Sequence, residues 1–253
     1  MVVRAVTAGA CRGGGFELCY LADGEHGPAE RRGPLSACWN ARFEDVPPVR
    51  DFPSYKGQRN FPGLYFAACM NRHIGFESWV ERDTMMLLDF SRKVRAFSAQ
   101  PFWLLWPAGG KVRRHVPDLF VRLADGGAAV VDVRPDDRIE PEDAEAFEAT
   151  AAACESVGWG YRRIGVLDPV LAGNVRWLAG YRYPRCLRGD HRAGLLDAFA
   201  APRPLLDGAL AVGDRIAVLP SLFHLLWRGI LSADLASALL SGGSLVRAGG
   251  GAW

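Results

Sequence analysis

Apolar residues recur along this chain with two different periods. Phe76, Val80, Leu87 and Leu88, joined by Trp79 and Met85, repeat at helical spacing and predict an amphipathic helix over 76–90. Residues 94–106 are rich in aromatic and aliphatic side chains and predict extended chain that turns at Ala108-Gly109-Gly110. Strands are then predicted over 111–115, 119–123 and 128–134, the last two separated by Ala124-Asp125-Gly126-Gly127, a hairpin signal. The run Ala128-Ala129-Val130-Val131 is apolar on both faces, as a central strand requires. Pro135 stops it. Glu140-Pro141-Glu142-Asp143 opens a helix, with proline where no amide is needed and acids at the positive end of the dipole, and 144–157 continues it. A strand over 160–166 and a helix over 170–181 complete the order, which predicts an α/β core.

The flanks read differently. Residues 1–60 alternate short apolar pieces with Gly13-Gly14-Gly15, Gly33-Pro34 and Pro47-Pro48, the pattern of an irregular N-terminal arm with a few strands. Beyond the core, Ala201-Pro202-Arg203-Pro204 reads as a linker. Two apolar helices are predicted after it, over 221–227 and 233–240, with Ser232 as a cap for the second and 244–247 as a wing. The expected organisation is an arm over 1–60, a core domain over 61–183 and a C-terminal module over 205–253.

Composition narrows the class. The 253 residues are 49% hydrophobic and 23% charged, the balance of a chain that buries a full core rather than a disordered or fibrous one. The most apolar stretch, 216–231, is broken by Pro220, His224 and Arg228 and falls short of the about 20 apolar residues a membrane span requires. Residues 1–15 lack the apolar run of a signal peptide, and the cysteines show no CxxC spacing, so a reducing cytoplasm is the expected location. Net charge is +2, so any nucleic-acid surface has to be local. Of the 30 basic residues all but Lys56, Lys93 and Lys111 are arginines, which reads as compositional bias of the source genome.

The candidate chemistry lies on the hairpin. Folding at Asp125-Gly126-Gly127 brings Asp118, which follows Pro117, opposite residues near 132–135, within Val131-Asp132-Val133-Arg134. Strand alternation puts Asp132 and Arg134 on one face. Two carboxylates a few ångströms apart repel unless a cation lies between them, so the pair predicts a hard-metal site with oxygen ligands. Glu77 and Glu81 stand one helical turn apart upstream, and one of them could complete the shell. Acids that hold magnesium, with a positive side chain to steady the phosphate, are the equipment of phosphodiester cleavage. Plainer readings stand beside these: the glutamates as a solvated helix face near Arg82 and Asp83, and Arg134 as the ion-pair partner that a buried Asp132 needs.

Phe76-Glu77-Ser78-Trp79-Val80-Glu81-Arg82-Asp83, Leu87-Leu88-Asp89-Phe90, Val94 with Gln100-Pro101, His115-Val116-Pro117-Asp118 and Val131-Asp132-Val133-Arg134-Pro135 together resemble the TnsA-like transposase endonuclease family. The resemblance covers 55–183 and implies the PD-(D/E)XK, restriction-endonuclease-like fold, a mixed sheet core flanked by helices, with a small winged-helix-like module after it. It implies magnesium or manganese as cofactor. It also implies work on DNA, as the subunit of a heteromeric transposase that cuts the 5′ transposon ends beside an integrase-type transposase subunit and an ATPase regulator.

The family's helix glutamate lies about nineteen residues before its Gln-Pro pair, which selects Glu81 and leaves Glu77 and Gln100 auxiliary. Its second acid falls on Asp118 and its third motif on Asp132 and Arg134, so that Glu81, Asp118 and Asp132 are the expected metal ligands. The family has lysine where this chain has Arg134. Arginine stays protonated, so it can steady a phosphate but cannot take a proton from water. DNA-backbone contacts are expected from Lys56 and Arg59, flanked by Tyr55, Phe61 and Tyr65, and from Arg182, Arg185 and Arg188. The helix predicted over 233–240 carries no base-reading side chain, so the C-terminal module is expected to contact protein. A degenerate nuclease fold used for docking, and a stand-alone repair or restriction nuclease, are the alternatives.

Overall fold

The computed structural model of the chain describes residues 15–24, 27–52 and 61–249. Up to Val166 its elements are β1 (Glu17–Gly24), β2 (Gly27–Pro34), α1 (Leu35–Cys38), β3 (Gly63–Ala67), β4 (Arg72–Phe76), α2 (Trp79–Phe90), β5 (Val94–Ala99), β6 (Trp103–Ala108), β7 (Lys111–His115), β8 (Leu119–Leu123), β9 (Ala128–Val133), α3 (Pro141–Ser156) and β10 (Gly160–Ile164). After it come α4 (Pro169–Ala179), α5 (Gly189–Ala198), β11 (Arg203–Pro204), α6 (Leu205–Val212), α7 (Arg215–Trp227), β12 (Leu231–Ala233) and β13 (Leu245–Ala248). This is an α/β protein. No single described helix is long and apolar enough to cross a membrane.

The chain divides into two units, one of Lys93–Val166 with the described residues up to Met85, the other of Met86–Arg92 with the described residues from Leu167 on. In the first unit a mixed four-stranded sheet runs in the order β10-β9-β8-β5, with β9 and β10 parallel and the other pairs antiparallel. Every residue of β9 is buried, as its apolar run requires. The β8–β9 turn is built from its own chemistry. Gly126 takes φ 89°, which a side chain disfavours, and Asp125 Oδ1 accepts from the Gly127 amide at 2.9 Å.

A second sheet, antiparallel in the order β2-β1-β6-β7, contains two of the few strands expected in residues 1–60 and joins them to the core strands β6 and β7. The described part of that segment supplies Leu18, Leu35 and Phe43, all almost fully buried. Phe43 is the hub of an aromatic cluster, with ring centroids 5.0 Å from Phe102, 5.3 Å from Phe120 and 5.7 Å from Trp159. Frequent Gly, Pro and charge hide this contribution, because only a few large side chains carry it.

The second unit packs Leu178, Leu195, Phe199, Leu205, Leu222, Leu225 and Val246 into its own core. Phe199 lies so close over Gly208 that a Cβ there would sit 2.1 Å from the ring, which is why the apolar helix α6 carries a glycine. The sequence reading needs three corrections here. α4, expected with the core domain ending at 183, belongs to this unit. α5 and α6 were not expected, and α7 begins at Arg215, capped by Asp214 Oδ1, which accepts from the Ile216 and Ala217 amides. The helix expected over 233–240 does not form. Asn174 holds that segment open: its Nδ2 donates to the Leu235 and Ala238 carbonyls and its Oδ1 accepts from the Leu240 amide.

Candidate active site

Ser78 and Glu81 start α2 together. The Glu81 amide donates to Ser78 Oγ at 3.3 Å, Ser78 Oγ donates to Glu81 Oε1 at 2.8 Å, and Glu81 Oε2 accepts from the Glu77 amide at 2.9 Å. This is the S-x-x-E capping arrangement, and it starts the helix at Trp79 rather than at 76. Burial draws the Glu81 carboxyl above the ordinary carboxylate range. The Glu77 amide and Ser78 hydroxyl oppose that shift, and the charge on Glu77 adds to it. Glu77 itself accepts from Gln100 Nε2 at 2.9 Å and from Arg50 at 3.2 Å.

Asp118 stands just before β8. The register pairs Leu119 with Val131, and one step further the Val133 amide donates to Asp118 Oδ2 at 2.6 Å. Its carboxyl is raised well above the ordinary range, first by loss of hydration and then by the charges on Asp132 and Glu81; the Val133 amide opposes them. Gln100 braces the same spot. Its amide donates to the Asp118 carbonyl at 2.9 Å, and it takes φ 49°, a left-handed conformation that is costly for a residue with a side chain. Gln100 is 2% exposed, and its Oε1 is buried with no hydrogen-bond partner.

Asp132 and Arg134 do not do what the sequence suggested. Asp132 is 1% exposed, but its oxygens meet His115 Nε2 at 2.8 Å and the Tyr161 hydroxyl at 2.9 Å. Arg134 is not its partner. The guanidinium forms a forked pair with Asp143, Nε to Oδ2 at 3.0 Å and an Nη to Oδ1 at 2.7 Å. That bond holds Arg134 above its ordinary pKa, and, against the effect of burial, holds Asp143 below its own. Asp143 Oδ2 also accepts from the Glu140 amide at 3.1 Å, so the first turn of α3 anchors Arg134.

These groups surround a cleft of about 390 Å³. Glu77, Glu81, Asp118 and Asp143 supply its acids, and Arg50, Arg114, Arg134 and Arg138 its cations; His115, Trp103 and Phe147 are also in the wall, and Asp132 is not among the lining residues. The donor set is hard oxygen, which suits magnesium or manganese. Glu81 and Asp118, half-buried in the cleft wall and both held above their ordinary range, are the carboxyls that a bound cation would relieve. Among the described residues no three His, Cys, Asp or Glu side chains already converge in a metal-holding group.

Two residues that the sequence reading left without a role belong to this site. His115 was visible in His115-Val116-Pro117-Asp118, and a buried Asp132 announced a need for partners. Tyr161, on β10, gave no signal of its own. Of the expected DNA contacts, Lys56 and Arg59 lie outside the described residues. Arg182 and Arg185 each stack on Tyr183 at 4.5 Å, and Arg188 is exposed beside Asp190. All three fall in the second unit.

No protein-family model matches the chain, and no curated protein matches it.

Proposed function

We propose that this chain is a divalent-metal-dependent DNA endonuclease of the PD-(D/E)XK type, acting as the TnsA-like subunit of a heteromeric transposase. The observation that carries the reading is Asp118, a half-buried carboxyl in the wall of a cleft, raised above its ordinary range by lost hydration and by the charges of Asp132 and Glu81. Glu81 and Asp118 would hold magnesium or manganese, and Asp132 leaves that shell because both its oxygens are engaged. The ion would supply Lewis-acid stabilisation to the phosphate and an easier proton loss from water. Arg50, Arg114, Arg134 and Arg138 would bind the phosphodiester, with Arg134 oriented by Asp143.

The second unit fits a winged-helix-like module, in a different register from the one expected. α6 and α7 meet at 120° across Gly213-Asp214, the angle of a helix-turn-helix, and β12 and β13 follow as a paired strand unit. α7 is buried from Ser221 to Trp227, so that part of it has no face to offer to base edges. Protein contact is the role that remains, toward an integrase-type transposase subunit and an ATPase regulator of the same element.

A non-catalytic docking scaffold is the second reading, favoured by one observation: the third-motif acid is turned away from the cleft, with arginine in place of lysine after it. Calorimetric titration with magnesium and manganese, followed by cleavage of transposon-end DNA with the partner subunits, separates the two. The nuclease reading requires metal binding that Asp118→Ala abolishes, and strand cleavage that Glu81→Gln abolishes while Glu77→Gln keeps most of it. Metal binding by Asp118→Ala equal to that of the parent would leave the scaffold.

A further inference from the structure

His115 closes β7 and lines the cleft. Asp132, which meets its Nε2, offers only acceptors as a carboxylate, so Nε2 must carry the imidazole proton. Tyr161 donates to the other oxygen, and burial together with the Asp132 charge keeps that phenol protonated. Neutral His115 therefore has its lone pair on Nδ1, and among the described residues Nδ1 has no hydrogen-bond partner.

The other acceptors of the cleft are engaged: Glu81 and Asp118 would hold the ion, Glu77 accepts from Gln100 and Arg50, and Asp143 is forked to Arg134. Arg50, Arg114, Arg134 and Arg138 stay protonated, and the Trp103 ring nitrogen is a donor only. Hydrolysis of a phosphodiester nevertheless has to move a proton off the attacking water.

We propose that His115 is the proton acceptor of this cleft and that Asp132 and Tyr161 are positioning residues that fix its tautomer, a proposal that rests on the phosphodiesterase reading above. A water O–H bond breaks and its proton passes to His115 Nδ1. The oxygen's electron pair forms the new bond to phosphorus. The bond from phosphorus to the departing sugar oxygen breaks, and that oxygen takes a proton from solvent. Asp132 then acts as the orienting acid of a Tyr-Asp-His chain, which explains why an acid sits in an apolar strand without facing the cleft.

The tautomer is readable without activity. In full-length, ¹⁵N-labelled, metal-free protein, long-range ¹H–¹⁵N imidazole spectra, assigned against His115→Asn, should show protonated Nε2 and bare Nδ1. Asp132→Leu, which has no acceptor for Nε2, should weaken that preference; should it fail to fold, Tyr161→Phe should weaken it. With magnesium and partner subunits, His115→Asn should lower the cleavage rate by about a hundredfold or more. Magnesium affinity should stay at the parent value, and added imidazole should return part of the activity of His115→Gly. A proton on Nδ1 overturns the proposal, as does parent-rate cleavage by His115→Asn. A parent that cuts no DNA, with Asp118→Ala binding magnesium as the parent does, sinks the nuclease reading and this proposal with it.

Discussion

In the second unit, Asn174 is 2% exposed, and each polar atom of its side chain has a partner: Nδ2 reaches the Leu235 and Ala238 carbonyls at 2.9 Å and Oδ1 the Leu240 amide at 2.8 Å. In the first, Asp118 has one amide, from Val133, against the charges of Asp132 and Glu81. Ser221 and His224 resemble Asn174. Ser221 Oγ donates to the Cys186 carbonyl and accepts from the Arg188 amide, and His224 Nδ1 lies 2.8 Å from the Tyr181 carbonyl. These three buried residues of the second unit thus fix loops and helix ends. At the cleft the half-buried Asp118 is left under-answered, at a cost to stability that a structural role does not require. The contrast sets an under-answered acid in the first unit against fully answered polar side chains in the second.

The largest expected effect tests the architectural side. Phe199 is fully buried against Gly208, and Phe199→Ala should destabilise the protein by about 3–5 kcal/mol in urea denaturation, the usual range for emptying an aromatic site. Magnesium affinity, measured below the melting temperature, should stay unchanged. A loss under about 1 kcal/mol would contradict the packing described. Asn174→Ala comes next. It strands the Leu240 amide and frees the 235–240 segment, for an expected loss of about 2 kcal/mol. Helix content rising in the variant would show that Asn174 is what suppresses the helix the sequence predicts there.

That last point shows where the sequence is legible and where it is not. The apolar run of β9 and the Asp125-Gly126-Gly127 turn are local signals, and strand, turn and register follow from them. Pro141 with its neighbouring acids likewise marks the start of α3. The segment 233–240 misleads because its fate is decided by Asn174, more than fifty residues away in the chain. The site divides in the same way. The resemblance points to Glu81 and Asp118, which both line the cleft, but the partner of Arg134 lies on the next helix and those of Asp132 on β7 and β10. Alternation along a strand states which face a residue belongs to, and says nothing of which side chain reaches it first.

Asp118 offers a test of the opposite sign. A carboxyl whose folded pKa is raised contributes stability that is full below the unfolded value, about 3.9 for aspartate, and lost as pH rises through the folded one. The metal-free protein should therefore lose stability as pH climbs above the ordinary carboxylate range. Asp118→Asn, which can still accept from the Val133 amide, should flatten that decline. At neutral pH the variant should melt higher, by about 2–4 °C for each kcal/mol relieved, while magnesium binding disappears. Saturating magnesium should stabilise the parent most at the alkaline end, where the carboxyl is ionised and the ion has least proton competition. A variant that melts lower than the parent at every pH would mean that Asp118 is an ordinary structural acid.

The smallest expected change in stability belongs to Arg134→Lys, which separates the two units' ways of using charge most finely. The Arg134 side chain is 43% exposed and its partner is Asp143, so losing the forked geometry should cost less than about 1 kcal/mol. Asp143 keeps its bond from the Glu140 amide, so the start of α3 should survive. If Arg134 serves the phosphate, lysine preserves a positive charge, and the variant should cut DNA at least as fast as the parent. Arg134→Ala should be slower by about a hundredfold, the scale of removing one electrostatic donor. A loss of about 3 kcal/mol in either variant would instead mean that Arg134 compensates a buried acid. That outcome would place it with Asn174 among the architectural residues and leave Arg50, Arg114 and Arg138 to hold the phosphate.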